Sequence, residues 1–77
     1  MVTIYTTSSC HFCHEAKEFF QKNNVEYTEK NVETDEAARD EMLNKTHQMG
    51  VPVIDIDGTI IVGFDKGAIT QALGASA

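Results

Sequence analysis

Cys10-His11-Phe12-Cys13 is the stretch on which the reading of this chain turns. These are the only two cysteines. They stand three apart, after the β-like run Val2-Thr3-Ile4-Tyr5-Thr6 and at the start of a helical pattern. That placement gives Cys10 a helix N-terminus and puts Cys13 one turn in. Backbone N–H groups at a helix N-terminus stabilise negative charge, so Cys10 is expected to be held partly as thiolate. A thiolate with a second thiol in reach is the minimum machinery for breaking and making disulfides.

Working outward, Thr7-Ser8-Ser9 is a short polar loop, and Ser9 is the expected cap of the first helix. Cys13, Ala16, Phe19 and Phe20 then recur at helical spacing, which marks Phe19 and Phe20 as core. The helix is expected to end near Asn23-Asn24. A second strand is predicted from Val25 to Val32. Thr34 is the expected cap of a second helix, with Asp35 and Glu36 in its first turn and Ala38, Met42 and Lys45 on one face. Gly50-Val51-Pro52 breaks that pattern. Val53-Ile54-Asp55-Ile56 reads as a third strand, Asp57-Gly58 as a type I′ turn, and Ile60-Ile61-Val62 as the antiparallel return. Gly63-Phe64-Asp65 leads into a last helix carrying Ile69, Ala72 and Leu73, expected to close at Gly74. The order is β-α-β-α-β-β-α. The first unit should be a right-handed parallel crossover. The strands are apolar on both sides, so helices must cover both faces of the sheet.

The 77 residues make one domain, 1–77, and 42% of them are hydrophobic. No apolar run is long enough to span a membrane. Met1 runs directly into a strand pattern with no secretory leader in front of it. Two cysteines are too few for a disulfide-stapled secreted scaffold, so a reducing, cytoplasmic setting is expected. Twelve acids against six bases give a net charge of −6. That balance argues against nucleic acid and against anionic membrane surfaces as partners.

With Tyr5-Thr6-Thr7-Ser8-Ser9-Cys10-His11-Phe12-Cys13 before the first helix, Val51-Pro52 before the third strand and Gly63-Phe64-Asp65 after the fourth, the whole chain resembles a glutaredoxin. The resemblance is narrowest to the short prokaryotic glutaredoxin-like proteins. It implies an α/β fold, the minimal thioredoxin/glutaredoxin fold, with a four-stranded mixed sheet flanked by three helices. It implies a thiol–disulfide oxidoreductase in which Cys10 is the nucleophile and Cys13 the resolving cysteine. Pro52 matches a proline that the family holds in the cis form. Val51 matches the residue whose backbone pairs with the substrate's backbone. Thr7, His11, Phe12, Gly63, Phe64 and Asp65 match positions around bound substrate or glutathione. The same resemblance implies a monomer that needs no metal or organic cofactor. Its partners would be a disulfide-containing protein and either glutathione, as a co-substrate, or a flavoprotein reductase as electron donor.

Four departures bear on the donor. His11 stands where many glutaredoxins have Pro, Thr7 where many have Lys, Gly50 where Thr is common, and Lys66 where a second Asp is frequent. Glutathione is therefore expected to be a poor reductant here.

Other readings of the same residues are weaker. Cys10-His11-Phe12-Cys13-His14 fits the C-x-x-C-H haem pattern, with Met42, His47 or Met49 as nominal axial partners. A covalent haem would also need an export signal and a larger pocket than so short a chain offers. A zinc site from Cys10, Cys13, His14 and His47 lacks the usual paired-histidine spacing. His14 and His47 default to the surface. The alternative function is an iron–sulfur cluster or metal carrier on the same cysteines, since some glutaredoxins bridge a cluster between two protomers. The colour of anaerobically purified protein separates the two. An imidazolium at His11 would favour the Cys10 thiolate. Phe64 is either core or groove lining. Asp65 can cap the last helix and also hold an ammonium group.

Overall fold

Apolar side chains of the two central strands point alternately to both faces of the sheet, and helices pack on each. In the computed structural model, which describes residues 1–76, the elements are β1 Val2–Thr6, α1 His11–Lys22, β2 Thr28–Asn31, α2 Glu36–Thr46, β3 Val53–Ile56, β4 Thr59–Val62 and α3 Lys66–Ser76. The sheet order is β2-β1-β3-β4. β1 and β2 are parallel, and β1–β3 and β3–β4 are antiparallel.

One face packs Val2, Ile4, Ile54, Ile56 and Ile61 against Ala16 and Phe20 of α1 and Ile69 and Ala72 of α3. The other packs Tyr5, Val32 and Val53 against Ala38 and Met42 of α2. Neighbouring residues Ile4 and Tyr5, like Val53 and Ile54, thus serve opposite cores, as the period of two demands. Phe20 and Met42 are fully buried. Truncating such side chains to Ala typically costs about 2–5 kcal/mol.

Several expected boundaries move, each for a local reason. Cys10 caps α1 in place of Ser9, because its sulfur accepts the Cys13 N–H at 3.0 Å. Asp35 caps α2 in place of Thr34 and accepts the Ala38 N–H at 3.1 Å. Thr34 is already taken into a turn in which the Asn31 side-chain Oδ1 accepts the N–H groups of Glu33 and Thr34, at 2.9 and 3.3 Å. β2 starts at Thr28, not Val25, because its register sets Thr28 opposite Thr3, near the start of β1. Val25 and Tyr27 pack against the core without pairing. β4 begins one residue earlier than expected, at Thr59. Asp57 and Gly58 have φ of 49° and 95°, the signs that a type I′ turn requires. α3 runs through Gly74 to Ser76 and does not close there.

Candidate active site

The register brings three loops to one end of the sheet. Tyr5, near the end of β1, pairs with Val53 at the start of β3, and Val53 pairs with Val62 at the end of β4. The Thr7–Cys10 loop, the Val51-Pro52 segment and Gly63-Phe64-Asp65 therefore share that edge.

At its centre the two cysteines are joined as a disulfide, with Cα atoms 5.2 Å apart. Their environments differ. Cys13 is buried, at 1% exposure, whereas Cys10 is half-buried at the mouth of α1. The Cys10 N–H donates to the Thr7 carbonyl at 3.4 Å, and the Cys10 carbonyl accepts from His14 at 3.3 Å. The Cys13 N–H and the positive end of the α1 dipole both face the Cys10 sulfur. When the pair is reduced, that arrangement favours negative charge on Cys10, the reachable sulfur.

The Val51-Pro52 peptide bond is cis, and Pro52 is buried. Its carbonyl accepts the Gly63 N–H at 2.8 Å, which ties the β4–α3 junction to the proline segment. Gly63 has φ of 87°, a left-handed conformation that favours glycine. Among the described residues, neither the N–H nor the C=O of Val51 has a hydrogen-bond partner. Phe12 is exposed at 58%. His11, also exposed, lies edge-on to the Phe12 ring at 5.6 Å, with its Nε2 3.4 Å from Glu15. Thr7 is half-buried. The Asp65 carboxylate turns back on its own helix, where Oδ1 accepts the Ala68 N–H at 3.1 Å.

Phe64 is partly buried against the α1/α3 core and meets Phe19 edge-on at 6.0 Å. Phe19, expected in the core, is only half-buried. It floors a small groove of about 160 Å³ lined by Glu15, Glu18 and Lys22 of α1 and by Phe64 and Lys66. Lys22 was not singled out in the sequence. The signal for it was the spacing of Glu15, Glu18, Phe19 and Lys22, which places all four on one side of α1.

Polar networks anchor β1 just before the cysteine loop. The buried Thr6 hydroxyl donates to Glu29 at 2.8 Å, and Lys17 reaches the same carboxylate at 3.0 Å. Burial alone would raise the Glu29 pKa, but the Thr6 and Lys17 hydrogen bonds and the Lys17 charge outweigh it and hold the carboxyl below its ordinary value. On the other face the Tyr5 hydroxyl donates to Glu41. Lys45 donates to the Tyr5 hydroxyl at 2.8 Å and to Asp55 at 2.7 Å, and Lys30 donates to Glu41 at 2.9 Å. The Tyr5 hydrogen bond, then Lys30, lower the Glu41 pKa. The bond to Asp55, then that to Tyr5, raise Lys45, and burial chiefly raises Tyr5.

Among the described residues, no three His, Cys, Asp or Glu side chains gather in a way that could hold a metal ion. His14 sits 3.2 Å from Glu18, and His47 caps the C-terminus of α2 with φ of 57°. No helix is long and apolar enough to cross a membrane, among the described residues.

Comparison with known proteins agrees with this geometry. A family model described as Glutaredoxin matches residues 2–61. A glutaredoxin-like 8.6 kDa protein in a rubredoxin operon of Clostridium pasteurianum is 42% identical over 73 residues, covering 95% of this chain and 97% of that protein. Glutaredoxin 3 of Escherichia coli (strain K12) is 36% identical over 64 residues, covering 83% of this chain and 77% of that one. The solved structure of the glutaredoxin-like protein NrdH-redoxin from Escherichia coli, described by its thioredoxin-like activity profile, superposes with a TM-score of 0.79 at 26% identity, covering 91% of each chain.

Proposed function

This chain belongs to the glutaredoxin family, and from that premise we propose that it is a dithiol–disulfide oxidoreductase that reduces protein disulfides. One observation carries the reading: the unequal pair, with Cys10 half-exposed at a helix N-terminus and Cys13 buried behind it.

The Cys10 thiolate attacks one sulfur of the substrate disulfide. That S–S bond breaks, a mixed disulfide forms, and the departing substrate thiolate takes a proton from solvent. Cys13 then loses its proton and attacks the Cys10 sulfur. The second substrate thiolate leaves and is protonated, and the Cys10–Cys13 disulfide closes. Two electrons pass to the substrate, and an external reductant restores the dithiol. The free backbone groups of Val51 are placed to pair with an extended substrate segment. Phe12 and Phe64 offer it apolar contact, beside Pro52 and Gly63. The cycle needs no metal or organic cofactor, and it suits a monomer in a reducing cytoplasm.

For the donor we favour a flavoprotein reductase over glutathione. Thr7 offers a hydroxyl where a glutathione carboxylate would want an ammonium group. Asp65 spends one carboxylate oxygen on its helix, and Lys66 follows it. Each lost charge-assisted hydrogen bond is worth about 1.5–3 kcal/mol, so capture weakens by roughly tenfold or more. The test offers oxidised protein glutathione with its reductase, and thioredoxin reductase, in separate assays on wild type and Thr7→Lys. Faster turnover with thioredoxin reductase is expected, with Thr7→Lys gaining on glutathione. Efficient glutathione turnover in wild type, unimproved by Thr7→Lys, overturns the donor assignment. Failure to reduce insulin even with dithiothreitol as donor overturns the oxidoreductase reading.

A further inference from the structure

Among the described residues, four of the six Lys and Arg side chains pair with carboxylates. Lys17 pairs with Glu29, Lys30 with Glu41, Arg39 with Glu36 and Asp40, and Lys45 with Asp55 and Glu41. Among the described residues, the two remaining side-chain cations of the six Lys and Arg, Lys22 and Lys66, have no carboxylate within ion-pair distance. Both line the same groove, between α1 and the β4–α3 junction. Acids outnumber bases two to one, yet both unpaired lysines line this one groove.

Lys66 is misplaced for folding as well. It is the first residue of α3, where the helix dipole favours acids and opposes a cation. Its ammonium stands 5.7 Å from the centre of the Phe64 ring. Two carboxylates line the same groove, Glu15 at 3.4 Å from His11 and Glu18 at 3.2 Å from His14. At about 160 Å³ the groove falls below the roughly 300–1,000 Å³ of small-molecule sites. It has room for a side chain presented by a macromolecule. Through Phe64 it adjoins the edge of the sheet that carries Cys10, Val51 and Pro52.

We propose that this groove is a specificity subsite that takes one Asp or Glu side chain of a protein partner. The carboxylate lies between Lys22 and Lys66, and its methylene stem rests on Phe19 and Phe64. The proposal deepens the oxidoreductase reading by naming the charge of the segment that accompanies the disulfide. The net charge of −6 repels an acidic partner at long range. At physiological ionic strength that field decays over about 8 Å, so the preference is set within the groove.

The test uses synthetic peptides carrying one cysteine as a mixed disulfide with thionitrobenzoate, whose release is followed by absorbance. A Gln-only parent is compared with peptides in which a single Glu, or a single Lys, is walked from the second to the eighth position after the cysteine. At the best position Glu should raise kcat/KM by roughly fivefold over Gln, the scale of one modest ion pair, and Lys should lower it. The Glu-to-Gln ratio should fall towards one in 0.5 M salt and in a Lys22→Gln/Lys66→Gln variant. It should persist in Arg39→Gln, which makes a charge change of the same sign on α2. A Glu peptide no better than Gln at any position overturns the proposal, as does an advantage that survives Lys22→Gln/Lys66→Gln. Loss of the advantage when free glutarate is added at the peptide's concentration shows a site for small carboxylates and overturns the protein-partner assignment. If wild type reduces no peptide, the oxidoreductase reading fails. The groove is then decided by NMR titration with a cysteine-free Glu peptide: amide shifts at Phe19, Lys22, Phe64 and Lys66 support it, and their absence overturns it.

Discussion

Gly63→Ala separates the backbone demands of the site from those of the fold. Gly63 and Gly58 both hold left-handed φ, 87° and 95°, and a Cβ built on either would meet no atom within 4 Å. Neither substitution therefore costs a clash. Each costs the left-handed conformation itself, about 1–2 kcal/mol for a residue with a Cβ. Part of this is offset by the smaller conformational freedom of Ala in the unfolded chain, about 0.4–1 kcal/mol. A net loss of roughly 1 kcal/mol lowers Tm by about 4–8 °C in a domain of this size. The two positions differ in what they hold. The Gly58 N–H donates to Asp55 at 2.8 Å, in a hairpin at the far end of the sheet from the cysteines. The Gly63 N–H donates to Pro52 at 2.8 Å and joins two walls of the candidate site. Relief of strain at position 63 rotates that N–H away and frees the proline segment from the β4–α3 junction. Thermal denaturation should show similar losses for Gly58→Ala and Gly63→Ala. Insulin reduction, assayed well below either Tm, should fall at least fivefold for Gly63→Ala alone, since small misplacements of a positioned substrate cost about that much or more. Gly63→Ala with wild-type stability refutes the backbone argument. Equal loss of activity in Gly58→Ala refutes the assignment of the Gly63–Pro52 bond to the site.

Cys13→Ser should still attack disulfides but stall as a mixed disulfide through Cys10, visible as an adduct by intact-mass spectrometry. Cys10→Ser should neither form the adduct nor reduce insulin, and turnover of protein disulfides by Cys13→Ser at the wild-type rate excludes the dithiol cycle. Glu29 and Glu41 both have folded-state pKa values below the ordinary 4.5. Their stabilisation is therefore present above pH 4.5 and is lost as pH falls through the lowered values, so Glu29→Gln and Glu41→Gln should flatten the acid limb of Tm against pH. Lys45 and Tyr5 are raised above 10.5 and 10.0, so their contribution is complete below about pH 10 and is lost as pH rises further. Lys45→Met should flatten that alkaline limb. Phe20→Ala should cost about 3–5 kcal/mol in denaturant titration, because the ring is fully buried between the sheet and α1.

Local pattern was enough where one residue type answers one physical demand. Alternation along Val2–Thr6 and Val53–Ile56 shows that both faces are buried. Asp57-Gly58 announces its turn, and two cysteines at helical spacing after a strand announce the chemistry. It was not enough where neighbours compete for one role. Ser9 and Cys10 are both able to cap α1, and Thr34 and Asp35 both able to cap α2. The contest is settled by which side chain the folded backbone brings to an N–H of the first turn, Cys10 to that of Cys13 and Asp35 to that of Ala38. The start of β2 was hidden for a related reason, since it is set by where β1 begins to offer partners. The pairing of charges lies further still from the sequence. Twelve acids are more than enough to neutralise six bases, and composition gives no hint that any lysine goes unpaired. Only the packing of α1 against the β4–α3 junction brings Lys22 and Lys66 to one groove. Lys66 is legible in the sequence as a departure from the family pattern, a cation standing where a second Asp is frequent. With its neighbours in place the same residue lines a groove with Lys22, and the subsite proposed there gives a use to a charge that the helix dipole opposes.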